Sequence, residues 1–375
     1  MTVPNQPPEE PMVSPFENGG DFGIGVEEEL LLVDDDGQLL GSAGGSVLAE
    51  LRGEVPEVGI VQGEVFVDEV EFASRVCAGG EDVVASLRAL RSSLAPAGVR
   101  AMAVGVHPSA AFGAACTASS ARYDPIVDEY AGLLRTPTAA FQVHVGLPHP
   151  ETAVLAYRGL RNRLPLLRAL AAGSAYWHGR DSGLASARSA ILRSYPRTTL
   201  PPALRSWEEY VEITSRILSA AEVPDYTYVW WDLRPQPRLG TLEVRVMDAQ
   251  HSISRAAGLA TLVQGLARHA VEVPDIDDLP DDVVAANDFR ACRYGLDTRF
   301  WDSDGSMRPV REIAVRAIGE ARRMLGPDGL DGPLDAVESM LVGPPEYTRQ
   351  RRLCEERGMP ALLADLVART AELDS

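Results

Sequence analysis

The chain contains no lysine: all 35 of its basic residues are arginine. That absence excludes Schiff-base chemistry, which needs a lysine amine, and a Walker-type phosphate loop, which needs a Gly-Lys pair. Any nucleotide bound here must have its phosphates held by arginine or by metal. Cysteine is scarce too. The four, Cys77, Cys116, Cys292 and Cys354, are far apart and form no CxxC pair. This argues against a disulfide framework, a structural zinc site or an iron–sulfur cluster, and a reduced cytoplasmic interior is the simplest setting. No apolar run is long enough to span a bilayer. Residues 1–20, rich in Pro and Glu and without a basic segment leading into an apolar one, read as a disordered tail and not as a signal peptide.

Acid, by contrast, is abundant. A formal net charge of -19 repels phosphate backbones and anionic lipid, so neither nucleic acid nor a membrane face is expected as a partner. A chain of 375 residues with 45% hydrophobic content can bury a substantial core, as one large domain or two closely joined ones.

The stretch from Phe22 to Val33 reads as a strand closed by the turn residues "DDDG". Apolar spacing predicts a helix over 81–96, then a buried strand in "VRAMAVGVHP" ending at Pro108. "AAFQVHVGLPHP" alternates as a strand up to Pro148. A long helix follows from Pro150 to Trp177, with a kink expected at Pro165, and then a loop, "HGRDSGLASARS". "YTYVWWDLRPQPRLGTLEVRVMDA" has the two alternating runs and Pro/Gly turn of an antiparallel hairpin. Beyond it, 254–272, 309–325 and 347–372 carry amphipathic helical patterns, with "PDIDDLPDD" and "GPDGLDGP" as loops. The expected architecture is α+β: a largely antiparallel sheet carrying the polar motifs, helices on one side, and a helical C-terminal third.

Three of these strands point charge where a core should be. Residues two apart on a strand share a face, about 6.5–7 Å from each other, so Glu27 and Glu29 project together while Glu28 goes the other way. Two carboxylates so placed repel unless a cation lies between them, and magnesium, with its preference for oxygen ligands, fits. The plainer explanation is an edge strand whose glutamates discourage aggregation. The same geometry recurs where Gln142 shares a face with His144, and Glu243 with Arg245. Alone, each would be a structural histidine or a cross-strand salt bridge; on one sheet they would converge on one hollow. Glu64 and Glu71 lie among apolar residues seven apart, so a bulge or bend is needed for both to face that hollow. Arg234 and Arg238 flank the hairpin turn, and Arg180, Ser186 and Arg188 lie in the loop after Trp177. An arginine there can fork onto a carboxylate or phosphate, or simply neutralise a neighbouring acid. Phosphoryl transfer from ATP fits this inventory, because metal and arginine do its electrostatic work.

"GVEEELLLVD", "GVHP", Arg122-Tyr123, "QVHVGLPHPETAV", "GRDSGLASARS", "WWDLRPQPRLGTLEVRVMD" and "RYGLD" occur in the order found in the second glutamate–cysteine ligase family, the carboxylate–amine ligases, which the chain resembles from about Phe22 to its C-terminal helices. The resemblance implies a glutamine synthetase-like catalytic fold over 21–375, with a funnel that takes ATP from one end and amino-acid substrates from the other. It implies that the glutamate γ-carboxylate takes the γ-phosphoryl group of ATP and that an amine, cysteine by default, displaces phosphate. By motif match Glu27, Glu29, Glu64, Glu71 and Glu243, with His144, would be Mg2+ ligands. Arg245 would contact the transferring phosphoryl group, with Glu243 and Glu27 beside it as catalytic residues, and Arg180, Ser186, Arg188 and Arg234 would hold the glutamate carboxylates. Many members carry His-Val-His where this chain has Gln142-Val143-His144, and an amide is a poorer ligand than an imidazole. The same chemistry on another acid or amine, a nucleotide-binding homologue that has lost turnover, and a guanidino-phosphotransferase are the alternatives. A homo-oligomer is left open.

Overall fold

In the computed structural model, residues 13–130, 132–273 and 278–373 are described. The strands, in chain order, are β1 (Ile24–Val33), β2 (Gly53–Val55), β3 (Gly59–Gly63), β4 (Glu69–Ser74), β5 (Arg100–Met102) and β6 (Ala140–Gly146), followed by β7 (Tyr176–Trp177), β8 (Arg180–Asp181), β9 (Leu233–Gln236), β10 (Thr241–Asp248), β11 (Arg299–Trp301) and β12 (Met307–Pro309). The helices begin with α1 (Gly44–Leu51), α2 (Gly80–Ser92), α3 (Tyr123–Tyr130), α4 (Pro150–Ala171), α5 (Ala187–Leu192) and α6 (Trp207–Ala221). They continue with α7 (Ile253–Glu272), α8 (Asp281–Tyr294), α9 (Val310–Leu325), α10 (Leu334–Met340), α11 (Glu346–Arg357) and α12 (Met359–Ala371).

Among the described residues, one sheet runs β2-β3-β4-β1-β6-β10-β9, with β5 added to the far end of β1, and the pairings are antiparallel throughout. β1 is central because its alternation serves two faces at once. Ile24, Val26, Leu30 and Leu32 are buried, and with Val143, Val145, Leu242 and Val244 they put one face of the sheet against helices, α4 and α7 foremost. Glu28 points to this helical side as well. Its carboxylate is gripped by Arg91 of α2, Nη2 to Oε1 at 2.6 Å and Nε to Oε2 at 2.8 Å, with both side chains out of water. Arg91 spends its remaining donors on the carbonyls of Gln250, His251 and Thr370, which staples α2 to α12 and to the segment between β10 and α7.

In β10 the register slips between Val244 and Met247. This bulge changes which face the strand presents: Glu243 belongs to the polar face, whereas Met247 pairs with Phe141 in the core.

Several boundaries differ from the sequence-based expectation. α4 runs through Pro165 and stops at Ala171, because Tyr176–Trp177 is already paired as β7 with β8. The expected strand before Pro108 is only three residues of β5, and the 347–372 helix is broken in two at Gly358, whose φ of 83° is a left-handed conformation that glycine adopts freely. A disordered tail over 1–20 is too long. Residues 1–12 lie outside those described, but 13–20 pack on the β9–β10 turn: Phe16 meets Trp207 edge-on at 5.1 Å, and the Glu17 N–H donates to the Pro237 carbonyl at 2.8 Å. No described helix is long and apolar enough to cross a membrane.

Candidate functional site

The sheet face opposite α4 and α7 borders a cavity of about 460 Å³. Strand register decides what faces it. Across the strands Gln62, Glu71 and Glu29 lie side by side, Glu27 lies opposite Gln142, and one pleat further Gly25, His144, Glu243 and Arg234 form a row. Glu64 and Glu71 both reach the cavity without a bulge. Glu64 sits just past the end of β3 and Glu71 is within β4, so their spacing of seven spans a hairpin turn. Glu69, which the sequence reading passed over, joins them. Glu69-Val70-Glu71 repeats the Glu27-Glu28-Glu29 pattern on the neighbouring strand, and that signal was available.

Positive charge is unevenly spread over these acids. Glu243 is saturated: Arg234 binds it through two donors at 2.8 and 3.2 Å, Gln236 donates at 2.6 Å, and Arg245 Nη1 also contacts it. Burial alone would raise its pKa, but Arg234 and Arg245 outweigh that and hold it far below the usual carboxylate range. At the other end Glu29, Glu69 and Glu71 have no such partner. Burial first, then Glu64, pushes Glu29 up to about 7; burial and the surrounding glutamates raise Glu69 and Glu71 well above the ordinary value.

Glu27, His144 and Glu243 each offer a ligand atom within 4.8 Å of the others. His144 Nε2 lies 3.2 Å from Glu27 Oε1, while its Nδ1 meets Thr241 Oγ1 at 3.0 Å, which orients the ring. Burial would lower the imidazole pKa, but Glu27 and Glu243 overcome this and raise it. Gln142 is engaged otherwise: its amide donates to Glu29 Oε1 at 2.6 Å and its oxygen accepts from Arg245. It ties Arg245 to Glu29, and the imidazole on this face of β6 is that of His144. A divalent cation fits the carboxylates of Glu29, Glu64, Glu69 and Glu71, because a cluster of acids short of counter-charge is what such an ion satisfies. Glu27, His144 and Glu243 form one candidate set, and Glu29, Glu64, Glu69 and Glu71 another.

The arginines divide into used and spare. Arg234 commits four of its five N–H donors to Glu243 and to the carbonyls of Thr227 and Val229, so it braces the site. Arg188 is buried at the cavity wall, and its Nε and Nη1 have no hydrogen-bond partner. Burial lowers its pKa, and only Nη2 donates, to the Arg245 carbonyl at 3.2 Å. Its Nη1 lies 4.0 Å from Asp248 Oδ1, and it lines the hollow with hydrogen-bond donors to give. Arg245 keeps 23% of its side-chain exposure beside its two partners. Two expected residues are elsewhere. Arg180 is exposed on the β7–β8 hairpin, away from the cavity. Ser186 is wholly buried as the N-cap of α5, accepting from the Ser189 N–H and donating to Asp248 at 2.9 Å. The sequence placed both in one loop, but hairpin and cap turn them away. Lining residues to which the sequence reading gave no role include Arg122, Tyr123, Tyr130, Tyr195 and Trp230.

Comparison with known proteins agrees with this geometry. The model of glutamate–cysteine ligase family 2 matches residues 23–338. A protein provisionally named glutamate–cysteine ligase 2-3 from Rubrobacter xylanophilus is 33% identical over 357 residues, covering 92% of this chain and 96% of its own. One from Gloeobacter violaceus, provisionally named glutamate–cysteine ligase 2, is 30% identical over 370 residues, covering 95% and 99%. Among solved structures, the glutamate–cysteine ligase of Francisella tularensis in complex with AMP superposes with a TM-score of 0.68 at 12% identity, over 96% of this chain and 91% of that one. The fold is thus that of the glutamine synthetase-like ligases, and the chain belongs to glutamate–cysteine ligase family 2.

Proposed function

We propose that the chain is an ATP- and Mg2+-dependent carboxylate–amine ligase that activates the γ-carboxylate of glutamate as γ-glutamyl phosphate and joins it to an amine, with cysteine the first acceptor to test. The observation that carries the reading is the convergence of Glu27, Glu29, Glu64, Glu69 and Glu71 on one face of the antiparallel sheet, beside an arginine with unused donors. Mg2+ held by these acids and His144 would neutralise phosphate charge when bound.

The chain's own residues do the rest. Arg245, fixed by Glu243 and Gln142, offers its exposed edge to the transferring phosphoryl group, where charge develops. Arg188 supplies a second guanidinium for an oxygen anion, either of glutamate or of phosphate. Arg234 acts through Glu243, holding it ionised and oriented. The crystallised relative bound AMP, which supports nucleotide use in this fold.

The test is ADP release from purified protein with ATP, Mg2+, glutamate and a panel of amines that includes cysteine, followed by mass detection of the amide. Glutamate-dependent ADP release with a coupled product supports the reading. Absence of glutamate-dependent release with every amine overturns it.

A further inference from the structure

A second cavity, of about 850 Å³, lies behind the wall of the first. Leu200, Ile213, Ile217, Trp231, Ala285 and Phe289 give it an apolar lining drawn from α6, α8 and the segments before β9. Its size falls within the range of small-molecule sites. The charged groups around it are already satisfied. Arg193 pairs with Asp232 and with Asp288 at 3.1 Å, and Arg168 pairs with the same two acids at 2.9 and 2.6 Å, so two guanidiniums face two carboxylates. Arg161, a buried lining residue, is paired with Asp281. An ionic ligand would therefore find no free counter-charge, and its desolvation would go uncompensated. At the mouth Phe289 is 62% exposed, a large apolar ring that an occupant would cover.

The two cavities share a wall one residue thick. Leu192 lines the first and Arg193 the second; Thr198 the first and Thr199 the second; Trp230 the first and Trp231 the second. Hydrogen bonds run through this wall toward the catalytic face. The Asp232 N–H donates to the Thr199 carbonyl at 3.1 Å, and the Arg245 N–H donates to the Asp232 carbonyl at 2.9 Å.

We propose that this second cavity is a binding site for an uncharged, largely apolar small molecule carrying an aromatic ring or branched chain, and that its occupancy is transmitted to the hollow through the shared wall. The site does not depend on the ligase reading, because its test uses no turnover. The full chain, with isotope-labelled Ile and Leu methyl groups, is titrated with indole and followed by NMR. Methyl signals of Leu200, Ile213 and Ile217 shift together and saturate, and Leu192, across the wall, shifts with the same midpoint. Ile213→Trp, which fills the cavity, abolishes the response, and Phe289→Ser, on the exposed rim where folding is not at stake, weakens binding at least threefold. Shifts confined to Ile126 and Leu134, which line the first cavity, overturn the site, as does wild-type affinity in Phe289→Ser. A Leu192 signal that stays still while Ile213 saturates overturns the transmission.

Discussion

Glu27 and Glu28 are adjacent on one strand, yet their removal should have opposite consequences. Glu28→Ala strips the carboxylate from a pair with Arg91 in which the side chains are 0% and 2% exposed, leaving a buried guanidinium uncompensated. Breaking such a pair costs about 3–5 kcal/mol. The three backbone carbonyls that still accept from Arg91 place the loss toward the lower part of that range. An unfolding entropy of about 2.1 cal/mol/K per residue over 375 residues gives about 0.8 kcal/mol/K, so the melting temperature should fall by about 4–6 °C. Glu27→Ala removes a carboxylate that is 26% exposed and whose ion partner is His144, a contact worth under about 1 kcal/mol. Its melting temperature should move by about 1 °C, while glutamate-dependent ADP release falls below detection. The assay is thermal unfolding and ADP release on the same preparations. Equal melting temperatures for the two variants, or full turnover in Glu27→Ala, would refute the division of β1 into a structural and a catalytic face.

Three further outcomes follow from the site. Arg188→Met should leave the melting temperature within about 2 °C, since the guanidinium is desolvated and under-partnered, while ATP or glutamate binding measured by calorimetry weakens at least tenfold; unchanged binding of both would rule out Arg188 as the anion contact. In Mg2+-free buffer the stability of the wild type relative to Glu29→Gln should decline as pH rises from about 4.5 to 7, because the folded state with Glu29 raised to about 7 binds more protons there than the unfolded state, while buried His251, lowered to about 3, acts in the opposite sense in both proteins and cancels. The relative loss is about 3 kcal/mol from Glu29, and millimolar Mg2+ should raise wild-type stability at pH 8 but not at pH 4.5; a difference between the two proteins' denaturant melts that grows in favour of the wild type across this window would contradict it. Ser186→Ala should cost about 1–2 kcal/mol through the lost cap and leave the KM for glutamate unchanged, as should Arg180→Ala without the stability loss; a tenfold rise in KM for either would return them to the substrate site.

Period-two alternation carried most of what could be read in advance. It split Glu28 from Glu27 and Glu29, aligned Gln142 with His144 and Glu243 with Arg245, and made the β9–β10 hairpin visible, because each depends only on neighbours along one strand. What failed depended on partners distant in sequence. Arg234 reads as a free cation until β9 is laid beside β10 and Glu243 takes its donors. Ser186 reads as a ligand until it is seen to cap α5 and bond Asp248, sixty-two residues away. Glu64 and Glu71 needed a turn between them that no local pattern named. The helix expected to reach Trp177 ended early because pairing of β7 with β8 outweighed the apolar run.

The slip in β10 sets the phase of everything after it. Upstream, odd-numbered Glu243 faces the hollow; downstream, odd-numbered Met247 lies in the apolar layer and even-numbered Asp248 accepts from Ser174 and Ser186 on the other side. A regular pleat through this segment with every residue kept would exchange those two destinations, sending a thioether toward the carboxylates and a carboxylate into the oil; the extra residue between Val244 and Met247 prevents it. The strand thus carries its change of phase in one additional residue, and shortening by that residue keeps Met247 opposite Phe141 and Asp248 opposite Ala140.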